Sequence, residues 1–214
     1  MTDGPALVAS GVIAVVRLGD TPPDRLRRAA AAVAAGGVGA VEITLTTPGA
    51  LAAIAELAAD GTLHNCVIGA GTVVDEQSAR EVIARGARFV VSPTLDRAVV
   101  RYCRDHDVPC LPGALTPTEL LEAWRAGARL VKLFPAGVVG PRYLSEVLAP
   151  LPFLRVVPSG GVSLENAAAW IRAGAACVSV GTALVNPVLV TEQSWPELTA
   201  RSRALVQAVA GARA

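Results

Sequence analysis

Lysine is almost missing from this 214-residue chain: of its 19 Lys and Arg residues 18 are arginine, and Lys132 stands alone. Histidine is nearly as scarce. His64 lies in the polar stretch DGTLHN and His106 near an expected helix end, CRDHDV, so both are expected in solvent and no Ser-His-Asp arrangement can be drawn. No CxxC spacing joins Cys66, Cys103, Cys110 and Cys177, and neither histidine completes a ligand set with them, so no metal site is expected. The cysteines read as buried thiols of a reducing cytoplasm. Aromatic residues are only 4% of the chain, the formal net charge is +1 and the arginines are scattered, which argues against a nucleic-acid surface. The first twenty residues show no charged leader followed by an apolar run and a cleavage site. No apolar stretch reaches the ~18 residues a membrane helix needs, so no membrane partner is expected either.

What is abundant is apolar surface. Hydrophobic residues make up 52% and charged ones 17%, which suits one globular domain with a large core. A pattern recurs: an Ala-rich amphipathic segment, a Gly-Ala or Gly-Gly, then a short Val/Ile-rich run. It occurs as VAAGGVGAVEITL (33–45), IARGARFVVS (83–92), WRAGARLVKLF (124–134) and IRAGAACVSVG (171–181). Such a unit reads as a helix closed by a left-handed glycine and followed by a strand buried on both faces. The full pass predicts strands at 12–16, 39–45, 66–70, 88–91, 109–111, 130–134, 155–158 and 177–180. Helices are predicted at 22–35, 48–59, 75–85, 95–105, 117–126, 141–149, 163–173 and 194–210. Asp75 before Ser78, Thr116-Pro-Thr-Glu119 and Ser163-Leu-Glu-Asn166 supply helix-start signals. Strict alternation implies a parallel sheet, and eight units in so short a chain point to a closed (β/α)8 TIM barrel. An open doubly wound sheet is the alternative. No linker divides the chain, so a single domain over 1–214 is expected, with 1–10 as an N-terminal capping segment and 194–211 as a C-terminal helix.

Barrels of this kind gather functional groups at the C-terminal ends of their strands, and the unusual residues here map to that end. Lys132 lies in the sixth predicted strand. Burial disfavours its charged form, and a neutral amine can attack a carbonyl to form a Schiff base, which arginine cannot do. A lysine whose stem packs while its head reaches solvent or a carboxylate is the structural alternative. Glu42 is the one carboxylate inside any predicted strand, suited to proton transfer at neutral pH or to pairing with Lys132 or Arg17. The glycine-rich turns SGGVSLEN (159–166) and VGTALV (180–185) follow the last two strands, a frequent phosphate site in barrels. Plain turn chemistry is the alternative for each. GAGTVV (69–74) lacks the third glycine of a dinucleotide fingerprint and no GxxxxGK[ST] loop occurs, so no nucleotide cofactor is expected.

These residues together resemble the 2-keto-3-deoxy-6-phosphogluconate aldolases, also called 4-hydroxy-2-oxoglutarate aldolases. The likeness is carried by VIAVVR (12–17), GGVGAVEITLTTPGA (36–50), IGAGTV (68–73), FVVSP (89–93), PGALTPTEL (112–120), VKLFPAGVVGP (131–141), PSGGVSLEN (158–166) and VGTALV (180–185). The resemblance implies a class I aldolase without cofactor, a homotrimer with one complete site per subunit. It implies Lys132 as the Schiff-base residue and Glu42 as the general acid/base. Arg17 and Thr72 would hold the pyruvate carboxylate, Pro93 and Phe134 would wall the keto acid, and Ser159, Gly160, Gly161, Gly181 and Thr182 would cradle the phosphate. The implied reaction splits 2-keto-3-deoxy-6-phosphogluconate into pyruvate and D-glyceraldehyde 3-phosphate, with 4-hydroxy-2-oxoglutarate as a further substrate. Three departures bear on specificity: Thr46 where some members have a carboxylate-binding arginine, Ser159 for a threonine, and Thr94 for a glycine. The alternatives are the galactonate epimer as substrate, a phosphate-barrel isomerase or epimerase using Glu42 as base, and a noncatalytic trimeric keto-acid-binding barrel.

Overall fold

A computed structural model describes residues 4–63 and 65–213. His64 and the first three residues of the expected capping segment lie outside the described residues. Strands and helices alternate: α1 (Gly4–Ala9), β1 (Val12–Val16), α2 (Pro23–Ala35), β2 (Ala40–Thr44), α3 (Ala50–Ala59), β3 (Val67–Gly71), α4 (Glu76–Ala84), β4 (Val90–Val91) and α5 (Arg97–Asp105). After them come β5 (Cys110–Leu111), β6 (Gly113–Ala114), α6 (Pro117–Arg125), β7 (Val131–Leu133), α7 (Gly140–Leu148), β8 (Val156–Pro158), α8 (Ala167–Arg172), β9 (Val178–Val180), α9 (Pro187–Thr191) and α10 (Trp195–Arg213).

All strand pairings are parallel, in the orders β5-β4-β3-β2-β1-β9 and β6-β7-β8. The two sheets are one barrel. The fifth barrel strand has two halves: the one predicted at 109–111 is β5, and β6 follows beyond Pro112, which has no N–H to give. The first half pairs with β4 and the second with β7, while the Pro112 carbonyl accepts from the Lys132 N–H at 2.9 Å. The other seam, between β8 and β9, is closed by a single parallel bridge from Ser159 to Ser179 and by the Ala176 N–H to Val156 carbonyl bond of 2.9 Å.

Local chemistry sets the element ends. Asp75 accepts from the Ser78 N–H at 2.7 Å to open α4. Thr116 and Glu119 form a reciprocal capping box at α6, with bonds of 3.3 and 2.8 Å. The helix predicted from Ser163 starts only at Ala167. The reason is Asn166, whose side chain accepts from the Ser163 N–H and donates to the Gly161 carbonyl, each at 2.9 Å, holding 161–166 as a turn. Helices α1 and α9 are additions to the predicted set. The left-handed glycines of the four repeats are as expected: Gly37, Gly86, Gly127 and Gly174 have φ of 94°, 94°, 106° and 100°.

Inside the barrel, side chains stack in levels supplied by every second strand. Ala40, Phe89, Leu130 and Cys177 share one buried cluster with Leu7 of α1, which sits under the barrel as a floor. The Phe89 ring occupies the space that a Cβ on Gly69 would need. Two residues further along the same four strands stand Glu42, Val91, Lys132 and Ser179, all buried. Each is the fifth residue after the left-handed glycine of its repeat. The sequence repeat and the structural level are the same object.

Because Phe89 fills both its own place and that of Gly69, Phe89→Ala should cost about 3–5 kcal/mol in urea unfolding. A loss under about 1 kcal/mol would mean that the floor repacks.

Candidate active site

The mouth of the barrel is built on that level. Glu42 and Lys132 sit on β2 and β7, on opposite sides, with Val91 of β4 and Ser179 of β9 between them around the ring. Lys132 is 4% and Glu42 0% exposed. The Glu42 carboxyl reaches into the space where a Cβ on Gly71 would lie, so glycine is required one strand over. Among the described residues, neither carboxyl oxygen has a hydrogen-bond partner. The Lys132 Nζ lies 4.9 Å from the centroid of the Phe134 ring.

Burial dominates the electrostatics of the pair. It raises the Glu42 carboxyl above the usual carboxylate range, opposed by the positive charges of Lys132 and Arg17. It lowers the Lys132 amine, opposed by Glu42 and reinforced by Arg17. Both groups are pushed toward their neutral forms. A neutral amine and a protonatable carboxyl buried on one barrel level can add to a carbonyl and shuttle the protons that addition and dehydration require.

The remaining sequence-predicted residues surround this pair unequally. Arg17 follows β1, exposed, and the adjacent Leu18 N–H donates to Thr47 Oγ1 at 3.2 Å. Thr72 follows β3 with φ of 61°, an uncommon backbone for a β-branched residue and a local cost of about 1–3 kcal/mol. Pro93 and Phe134 border a cleft of about 700 Å³ that also touches Asp96, Arg97 and Glu122. Thr94 lines the same cleft and is exposed. At the far rim, Gly160 and Gly161 are consecutive left-handed residues with φ of 79° and 81°, and the Gly137 N–H donates to the Gly160 carbonyl at 2.7 Å. A Cβ on Gly161 would stand 2.7 Å from the Gly137 Cα, so the turn is closed to larger residues. Ser159 is buried beneath it. The second turn differs from the first: Gly181 has no left-handed backbone, its carbonyl accepts from Leu184 and Val185, and Thr182 is exposed.

Sequence reasoning passed over three features. Thr44 Oγ1 lies 3.0 Å from Thr46 Oγ1 and 3.1 Å from Thr47 Oγ1, a hydroxyl cluster above Glu42 that ties the ends of β1 and β2 together. Val91 and Ser179 complete the lysine's own level. Their signal was the repeat itself, read at its fifth position. Of the cysteines, Cys103, Cys110 and Cys177 are buried free thiols, but Cys66 is only half-buried. His106 is exposed, stacked on Tyr102 at 4.0 Å between ring centroids. No helix among the described residues is long and apolar enough to cross a membrane.

Fold and mouth together define a barrel enzyme suited to carbonyl chemistry. The model of the family described as KDPG and KHG aldolase matches residues 6–201, and the chain belongs to that family of lyases. It is 38% identical to a 2-dehydro-3-deoxy-phosphogluconate aldolase of Pseudomonas aeruginosa, across 80% of this chain and 78% of that one. It is 34% identical to a 2-dehydro-3-deoxy-6-phosphogalactonate aldolase of Escherichia coli, across 92% and 96%. Among solved structures, the KDPG aldolase of Legionella pneumophila, with pyruvate captured as a covalent carbinolamine, superposes with a TM-score of 0.84 at 29% identity, covering 96% of this chain and 98% of that one.

Since the Glu42 charge is what favours the ammonium form of Lys132, Glu42→Gln should move the titration of the amine to lower pH. Lys132 is the only lysine, so the pH dependence of its acetylation by acetic anhydride, read on the peptide that contains it, reports this directly. An unmoved or raised midpoint would show the two groups to be uncoupled.

Proposed function

We propose that the protein is a class I aldolase that splits 2-keto-3-deoxy-6-phosphogluconate into pyruvate and D-glyceraldehyde 3-phosphate through an imine on Lys132. The observation that carries this reading is the level shared by Lys132 and Glu42, each buried and each displaced toward its neutral form. The covalent pyruvate adduct of the Legionella relative supports it.

Neutral Lys132 adds to the substrate C2 carbonyl, giving a carbinolamine that loses water. The protonated imine then withdraws electrons as the C3–C4 bond breaks, while Glu42, through a water, takes the C4 hydroxyl proton. D-Glyceraldehyde 3-phosphate departs, the enamine is protonated at C3, and hydrolysis returns pyruvate and the free amine. Arg17 and Thr72 hold the carboxylate, and its charge balances the cationic imine in a water-poor site. Pro93 and Phe134 wall the keto acid. Ser159 and the left-handed Gly160-Gly161 turn, with Gly181 and Thr182, receive the phosphate on backbone N–H groups and hydroxyls. We take the chain as a single-domain homotrimer of the cytoplasm, on the family resemblance and on the free thiols. The E. coli relative favours one second reading, the galactonate epimer, which would differ only at the C4 hydroxyl and its proton acceptor.

Incubation with pyruvate and borohydride should add one reduced adduct to the peptide containing Lys132, and no adduct there would refute the imine. Lys132→Arg should cut turnover by about 10³-fold or more with the barrel still folded. Glu42→Gln should slow cleavage by about 10²–10⁴-fold while adducts still form. Removing the substrate phosphate should lower kcat/KM by about 10²-fold, the worth of one or two charge-assisted hydrogen bonds; equal values would leave the glycine turn without that role. Measured side by side, the gluconate and galactonate epimers decide the stereochemical preference.

A further inference from the structure

The four-membered level that holds Lys132 and Glu42 has one polar member without an assigned task. Ser179 faces inward on β9: Cys177, two residues before it, belongs to the barrel-interior cluster, whereas its neighbours Val178 and Val180 belong to the outer core. It is 3% exposed, and its Oγ has no hydrogen-bond partner among the described residues. A buried hydroxyl left unpaired is costly, and alanine or glycine would fit the same place without that cost. Around the ring Ser179 is adjacent to both Glu42 and Lys132, while the opposite neighbour, Val91, is apolar. The Glu42 oxygens are unpaired in the same interior. Three unpaired polar atoms thus share one buried level with the amine.

We propose that Ser179 is a positioning residue for the Lys132–Glu42 pair: its hydroxyl orients the Glu42 carboxyl across one water, in the state in which that group accepts a proton. The inference rests on the reading of Lys132 and Glu42 given above. The charged or titratable groups around Ser179 are Glu42 from β2, Lys132 from β7, and the Cys177 thiol below it on its own strand, which burial pushes up to about 12; Arg17, exposed at the end of β1, acts on Glu42 and Lys132 through its charge. A hydroxyl that donates to a carboxylate favours its charged form, so loss of the hydroxyl raises the pH at which Glu42 becomes a base.

The test compares wild type, Ser179→Ala and Ser179→Thr in the holding of pyruvate and in the pH profile of kcat. Expected for Ser179→Ala is a kcat lower by about tenfold, the worth of one hydrogen bond to a charged group. The acidic limb should move up by about one pH unit, with KM changed less than about twofold and the pyruvate–borohydride adduct still formed. Ser179→Thr keeps the hydroxyl and should return the limb toward that of wild type; thermal melting of both variants registers any packing effect separately. If adducts form in wild type and Ser179→Ala leaves the acidic limb in place, this inference fails and the aldolase reading stands, whatever the change in melting temperature. If wild type itself forms no adduct, both fail.

Discussion

Placing an amine and a carboxyl on opposite sides of a buried barrel level is the constraint on which the rest of this structure depends. Each group alone would be a liability, since desolvation acts against both charged forms. Together they partly offset that cost, and the residual imbalance leaves both displaced toward neutrality. The surroundings are shaped to keep that balance. Gly71 makes room for the carboxyl, Val91 keeps one flank apolar, and the apolar level beneath, with Phe89 as its largest member, keeps water from entering below.

The strand ladder serves the same end at its weakest points. Pro112 interrupts the fifth strand, yet its carbonyl accepts from the Lys132 N–H, so the break lies against the lysine and fixes its backbone. The second seam, between β8 and β9, is held by the bridge from Ser159 to Ser179. Both imperfections of the barrel adjoin the mouth. The left-handed Thr72 and the paired left-handed Gly160 and Gly161 also stand at strand ends, whereas the left-handed Asp107 and Gln193 lie in turns that follow α5 and α9.

Much of the architecture was legible because the interior of a parallel barrel writes itself into the chain as short apolar runs between amphipathic helices. Helix-closing glycines marked four junctions, and their backbone angles agree with that reading. The misses have local causes. Asn166 captured two backbone groups and delayed a helix that the Ser163 signal had announced. The fifth strand, predicted to end at 111, resumes beyond Pro112 as β6. The VGTALV turn looked like its neighbour in composition, but only the first turn uses its glycines for left-handed backbone.

By itself the sequence determined which side chains could do chemistry, because a lone lysine and a lone strand carboxylate are matters of residue type and order. It also determined the strand–helix rhythm, since burial on both faces leaves so plain a pattern. Only the tertiary structure decided which residues share a level. Inward direction alternates every second residue, and the stagger of a closed barrel sets which rungs of distant strands meet; neither quantity exists until the last strand pairs with the first. That closure brings Glu42, Val91, Lys132 and Ser179 into one ring from four separate repeats, and it is why a serine unremarkable in the sequence stands beside the amine in the fold.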